Sequence, residues 1–192
     1  TRRRKLPMPE MVVFQRGSLL SVAQDIATHF PEAKFVHVYR DPRAVIRSIT
    51  EIGSGRFESF DPRHMGRRDT LGLARNWVTY VERVDALAAA YPGRVYQIRF
   101  EHLCRDLSGE LNAIARFAGR NFVLEGNGGV EVGVNEREIH QNVSAAPMLD
   151  RLDAWQRELP IWRGYVTEQF AAAAMHRRGY EPVFTEKCGS GL

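Results

Sequence analysis

The sequence feature that most constrains the fold is a strand that runs directly into a helix, between residues 34 and 48. Residues 35–39 read Phe-Val-His-Val-Tyr, and such β-branched and aromatic side chains are typical of a strand. Pro42 suits the first turn of a helix, because no N–H is needed there. Asp41 can cap the free N–H groups of that turn. The segment therefore predicts a strand, a turn that contains Arg40, and a helix.

The same junction predicts a site for an anion. Unpaired backbone N–H groups and the positive end of the helix dipole face one point at the start of such a helix. Arg40 lies at this point, and Ser48 follows about two turns along the helix. A guanidinium group matches phosphate oxygens, and a hydroxyl adds one more donor. The alternative is a surface arginine on an ordinary strand–helix turn.

A second strand and helix follow at the same kind of spacing. Apolar residues recur at helical intervals from Leu73 to Ala88 and predict a long amphipathic helix. Residues 94–100 then predict a strand, and a further helix begins with Asp106 or Ser108 as its cap. Strands that alternate with helices in this way predict an α/β fold, with a parallel β-sheet flanked by α-helices.

The rest of the chain is predicted to complete a single domain over residues 1–192. Residues 1–16 are a basic, irregular lead-in, and residues 183–192 are predicted to be a tail. Two helices are expected before that tail. The first covers residues 148–159, and the second places Trp162, Val166, Phe170 and Ala173 on one face.

Composition narrows the functional classes. The chain has 44% hydrophobic and 26% charged residues, which suits one globular domain. Its net charge of +4 suits an anionic partner, and a nucleotide cofactor satisfies this without a nucleic acid, for which no recognition motif is present. Cys104 and Cys188 form no Cys-x-x-Cys pair, so a reduced, cytoplasmic chain is expected. No apolar run is long enough for a membrane segment, although an enzyme without its anchor would look the same.

Two blocks of the sequence resemble a known family. Residues 30–35, the run Arg40-Asp41-Pro42-Arg43 and Ser48 are similar to the 3′-phosphate-binding segment of sulfotransferases that use 3′-phosphoadenosine 5′-phosphosulfate (PAPS). The resemblance implies that Arg40 and Ser48 hold the 3′-phosphate of this donor. It also implies the P-loop NTPase-like fold of that family, of which residues 15–182 match only the later part.

The second block is the strand and turn around Phe100. In the family an aromatic residue at this turn packs against the adenine ring of the donor, and Phe100 holds that position. The alternative for Phe100 is a core residue, because parallel strands are buried. Glu101 matches a glutamate that is structural in the family, and His102 replaces the usual aspartate.

Three further residues are weaker candidates for contacts with the acceptor or with a phosphate. His64 lies in a basic loop, residues 53–66, that is either a flap over an anionic ligand or an ordinary solvated loop. His64 and His140 are candidate acceptor contacts. Many family members carry an Arg-Lys-Gly triplet near their carboxyl end that also grips the 3′-phosphate. No such triplet is present, and its role either falls to residues 140–142, which include Asn142, or is unfilled.

The glycine-rich phosphate loop of the family is not found, so the loop, its lysine and the catalytic base are expected upstream of Thr1. The resemblance implies transfer of a sulfuryl group from PAPS to a hydroxyl or amine, leaving adenosine 3′,5′-bisphosphate. No metal is expected, because the histidines lack metal-ligand spacing. The acceptor, whether a small molecule, a carbohydrate or a peptide, cannot be read from the residues. A nucleotide kinase relative and a non-catalytic nucleotide-binding or scaffold fragment are the alternatives.

Overall fold

The computed structural model describes residues 13–14, 17–51, 70–120 and 149–189, and the fold is given for these ranges. Two strands, eight α-helices and two 3-10 helices are formed within them. In chain order they are a 3-10 helix Gly17–Val22, α1 Ala23–His29, β1 Phe35–Tyr39, α2 Pro42–Glu51, α3 Thr70–Ala90, β2 Val95–Arg99, α4 Phe100–Arg105, α5 Leu107–Phe117, a 3-10 helix Leu149–Arg151, α6 Trp155–Glu158, α7 Ile161–Arg177 and α8 Phe184–Gly189.

The two strands pair in parallel, with Phe35 opposite Val95 and Tyr39 opposite Arg99. This confirms the predicted α/β fold with a parallel sheet and flanking helices. Because parallel strands end at the same edge, the turn after β1 and the start of α4 after β2 are neighbours. Within the described ranges, no helix combines the length and the apolar character needed to cross a bilayer.

Helix α3 supplies the predicted apolar face to the core. Leu73, Trp77, Val81 and Val84 are all buried, as their spacing predicts, and α3 packs along α7. The turn 92–93 ends the helix as expected, with Gly93 at φ +75°, a value that suits glycine.

Helix α7 buries a different face from the one that its sequence favours. Trp162 and Phe170 belong to the predicted apolar stripe, yet they are 57% and 51% exposed. The buried face instead carries Gly164, Thr167, Glu168, Ala171, Ala174 and Met175. Small residues allow close approach of neighbouring elements, and the polar ones have specific partners, so packing overrides the apolar pattern here.

Residues 183–192 are not a tail throughout, because α8 closes the fold. Phe184 is only 1% exposed and packs in a core cluster with Trp155, its ring centroid 5.9 Å from that of Trp155. A methyl group added at Gly164 would overlap the Phe184 ring, so this glycine makes room for it. A single buried aromatic in a polar segment gave no periodic signal for this helix.

Two boundaries differ from expectation, and one predicted cap is confirmed. The predicted helix over residues 148–159 is divided into the 3-10 helix Leu149–Arg151 and α6. The turn after β2 is itself the short helix α4. Asp106 caps α5, accepting the N–H of Gly109 at 2.9 Å, which confirms one of its two predicted caps. A single domain over the whole chain stays a prediction.

Candidate functional site

Arg40 and Phe100 lie side by side where both strands end. Each is the residue that follows a strand, and the last residues of the strands, Tyr39 and Arg99, are opposite each other in the parallel register. The guanidinium carbon of Arg40 is 4.8 Å from the centroid of the Phe100 ring. Phe100 is half-buried and belongs to none of the described core clusters. The structure thus brings together the two residues that the sequence assigns to one nucleotide.

Arg40 is a half-buried cation whose donors are incompletely used. Its Nη2 is 3.5 Å from the backbone oxygen of Arg151, a long hydrogen bond, and its Nε is buried without a partner. Within the described ranges, no carboxylate forms an ion pair with it. Burial lowers the pKa of the guanidinium, while the nearby Glu101 carboxylate opposes that shift. An oxyanion at this point would supply the missing hydrogen-bond acceptor.

Ser48 lies on α2, half-buried, six residues after Pro42 and therefore ~9 Å along the helix axis from it. In the part of the chain that the structure describes, its hydroxyl makes no hydrogen bond with Arg40. A ligand shared by Arg40 and Ser48 stays a prediction.

Arg43, three residues after Arg40, is fully engaged inside the protein. Its Nη2 is 2.8 Å and its Nε 3.0 Å from the Asp41 carboxylate, and its Nη1 is 2.5 Å from Glu168. The guanidinium carbon also lies 3.9 Å from the Trp155 ring centroid. Burial alone would lower the pKa of Arg43, but the two carboxylates outweigh it and raise that pKa. Arg43 is therefore part of the scaffold.

Two backbone N–H groups at the start of α2 are already used within the protein. Asp41 accepts the N–H of Arg43 at 2.8 Å, as its predicted capping role requires. The N–H of Asp41 donates to Glu101 at 3.1 Å. Both carboxylates are buried, so the protein's own acceptors satisfy these two amides. A phosphate at this junction would have to be held without these two amides.

Glu101 links the two strand ends and has the structural role that was expected of it. Besides the Asp41 amide it accepts the Tyr180 hydroxyl at 3.0 Å, and Arg99 lies 3.9 Å away. Burial, together with the Glu101 charge, raises the pKa of Tyr180 well above its ordinary value, so the hydroxyl stays protonated and donates. This network holds the backbone amide that directly follows Arg40.

Glu168 joins α2 to the carboxyl-terminal helix. One of its oxygens accepts the N–H of Val183 at 2.9 Å, and the other accepts the N–H groups of Phe184 and Thr185 at 2.9 and 2.8 Å. Burial by itself would raise the pKa of Glu168. The backbone hydrogen bonds and Arg43 outweigh this, and the pKa lies below its ordinary value. Glu168 thus caps α8 and neutralises Arg43.

The sheet face that includes His37 is a packed polar cluster. Burial lowers the pKa of His37, and a hydrogen bond with Gln97 opposes that shift. Arg178 lies over the Tyr39 ring and pairs with Asp85. His37 is therefore a packed strand residue, as expected, and not a base in the candidate site.

Residues His64, His140 and Asn142 lie outside the described residues, so their predicted contacts stay predictions. The described ranges contain no cluster of three or more histidine, cysteine, aspartate or glutamate side chains that could hold a metal ion.

Sequence reasoning missed a second cationic cavity, of about 270 Å³, between α2, α6 and the start of α7. The available signal was Arg47, one helical turn after Arg43, but nothing in the sequence placed it near Arg163. The cavity is lined by Arg47, Thr50, Glu158, Leu159, Pro160 and Arg163.

Comparison with known proteins decides the family. A family model described as "Sulfotransferase family" matches residues 12–123, more than half of the chain. This chain belongs to the sulfotransferase family. The recognition made from the Arg40 and Phe100 segments is confirmed at that level.

Curated and solved relatives agree with this assignment. Human carbohydrate sulfotransferase 6 is 26% identical to this chain, in a match that covers 80% of this chain and 43% of the relative. Human carbohydrate sulfotransferase 5 is also 26% identical, and its match covers 79% of this chain and 41% of the relative. The chain thus spans about two fifths of these curated relatives. The sulfotransferase domain from the curacin biosynthetic pathway matches with a TM-score of 0.55 and 18% identity, covering 86% of this chain and 59% of that one. At that identity the likeness shows the fold alone.

Proposed function

We propose that this sulfotransferase-family chain binds the donor PAPS, with Arg40 and Ser48 on the 3′-phosphate and Phe100 against the adenine ring. The observation that carries the proposal is the half-buried guanidinium of Arg40, whose Nε lacks a partner and which lies against an aromatic ring. A phosphate supplies the missing acceptor, and a base stacks on an aromatic face.

The proposed reaction is transfer of the sulfuryl group to a hydroxyl or amine of the acceptor. The bond between sulfur and the bridging phosphate oxygen breaks, and a bond from sulfur to the acceptor oxygen or nitrogen forms. A general base takes the acceptor proton, and adenosine 3′,5′-bisphosphate leaves. The described residues contribute binding and orientation of the donor; the base and the group that neutralises the leaving oxygens are not assigned among them.

The acceptor is proposed to be a carbohydrate. Both curated relatives are named as carbohydrate sulfotransferases, and this favours a saccharide over a small aglycone or a peptide. A kinase of related fold would need Mg²⁺ with a carboxylate to hold it. Sulfate transfer from labelled PAPS in the presence of excess chelator therefore separates the two enzyme classes, and nucleotide binding without transfer favours the non-catalytic fragment.

The donor site is tested by calorimetry with adenosine 3′,5′-bisphosphate. Arg40→Ala should weaken binding by ~1.5–3 kcal/mol, the worth of hydrogen bonds to a charged group. Arg83→Ala is the matched control, because it removes an exposed arginine of α3 far along the chain from this junction. Equal affinity of the wild type and Arg40→Ala would remove Arg40 from the site.

A further inference from the structure

The cationic cavity between α2, α6 and α7 is a second site whose size suits a small charged group. Its volume of about 270 Å³ is near the lower end of the range for ligand pockets, roughly 300–1,000 Å³. It is therefore large enough for a charged substituent of a sugar.

The charges that line this cavity do not cancel. Arg47 is paired with Glu158, its Nε donating to that carboxylate at 2.7 Å. Arg163 donates to the neutral Thr70 hydroxyl at 3.2 Å, and its guanidinium carbon lies 4.7 Å from the Trp162 ring centroid. Within the described ranges, no carboxylate pairs with Arg163. The lining thus has one positive charge more than its carboxylate neutralises.

We propose that this cavity binds an oxyanion of the acceptor, a carboxylate or a sulfate ester on an acidic saccharide, with Arg163 as its main cation. The inference rests on the proposed function, since it names the acceptor class of that reaction. A guanidinium group offers paired N–H donors that match both oxyanions, and the contacts with Thr70 and Trp162 hold it in one orientation.

The position of the cavity suits an acceptor subsite beside the donor. Helix α2 carries the cavity residues Arg47 and Thr50 and, between them, Ser48, which is assigned to the donor phosphate. The charge of Arg47 also lowers the pKa of Arg40, so the two sites lie within electrostatic reach of each other. An anionic saccharide held here would lie next to the donor.

The test measures binding of three oligosaccharides of equal length, with and without saturating adenosine 3′,5′-bisphosphate. The probes are an uncharged chito-oligosaccharide, the same oligosaccharide chemically sulfated, and a hyaluronan oligosaccharide that carries only carboxylates. Arg163→Gln should weaken binding of a charged probe about tenfold or more and leave the uncharged probe unchanged. Which of the two charged probes is affected identifies the oxyanion. Arg83→Gln, which removes an exposed charge elsewhere, should leave the binding of both charged probes unchanged.

A second variant, expected to strengthen binding instead of weakening it, keeps the test decisive if Arg163→Gln folds poorly. Glu158→Gln removes the negative charge of the lining and should tighten binding of the charged probes several-fold. The proposal is overturned if neither charged probe binds, if all three probes respond alike, or if Arg163→Gln weakens adenosine bisphosphate itself, since the cavity would then belong to the donor. Failure of the proposed function would look different, as absence of nucleotide binding by the wild type whatever the saccharide result.

Discussion

Arg40 and Arg43 stand three residues apart at one strand–helix junction, and the fold gives them opposite tasks. Both are partly removed from water, and burial acts to lower the pKa of each. Arg43 forms ion pairs with two buried carboxylates, while Arg40 forms none among the described residues, although Glu101 lies near it. A cation in two buried ion pairs holds elements together, whereas a cation without an ion-pair partner favours an anionic ligand. Identical side chains are thus distinguished by what the fold places opposite them.

The largest expected effect is on the stability of the Arg43 region. Arg43→Ala leaves Asp41 and Glu168 buried without their counter-charge and should lower the free energy of unfolding by ~3–5 kcal/mol. Urea denaturation measures this. Arg40→Ala should cost less than ~1 kcal/mol, because it breaks no ion pair among described residues. Equal losses for the two variants would contradict the contrast between the two arginines.

The contribution of Phe100 to nucleotide binding tests the proposed ligand-binding role of the Arg40 site. Phe100→Leu removes the aromatic face beside Arg40 and should weaken binding of adenosine 3′,5′-bisphosphate by ~1–3 kcal/mol. Phe30→Leu is the matched control, since Phe30 is 64% exposed in the turn before β1. Affinities measured by calorimetry that do not differ between these variants would exclude adenine stacking on Phe100.

Protonation of Glu168 at acid pH should lower the stability of the region around Arg43. The pKa of this carboxyl is lowered in the folded state, so its stabilisation is present above the pKa of the unfolded chain and is lost as pH falls through the folded value. The free energy of unfolding should therefore decrease on acidification below about pH 4.5, by at most about 1.4 kcal/mol per pH unit for this one group.

The matched measurement compares unfolding curves of two variants across this pH range. Glu168→Gln should be less stable at neutral pH and should show a flatter acid limb than the wild type. Glu82→Gln, which changes an exposed ion pair with Arg177, should keep the slope of the wild type. An unchanged acid limb in Glu168→Gln would show that other carboxyls dominate.

The smallest expected effect is at Ser48. Ser48→Ala should weaken binding of adenosine 3′,5′-bisphosphate by ~0.5–1.5 kcal/mol, the net worth of one hydrogen bond, without changing the urea midpoint. Ser108→Ala, at an exposed position of α5, serves as the control. If Ser48→Ala binds as tightly as this control, Arg40 acts without the predicted hydroxyl.

Local patterns were sufficient for the parts of the fold that local forces build. The composition of residues 35–39 predicted β1, the spacing from Leu73 to Val84 predicted the buried face of α3, and Asp106 was a predicted cap. The resemblance to PAPS-dependent sulfotransferases, and not a local pattern, implied that Arg40 and Phe100 belong to one site. Strand, helix and cap signals each involve residues within a few positions of one another, so they can be recognised from the sequence alone.

The tertiary structure alone decided which arginine is neutralised and which face of α7 is buried. Glu168 is 125 residues from Arg43, and no local pattern links them. In the same folded arrangement the apolar stripe with Trp162 faces water and Phe184 packs against Gly164. A charge withdrawn from water must find its counter-charge, and that requirement acts between distant segments only once the chain has folded.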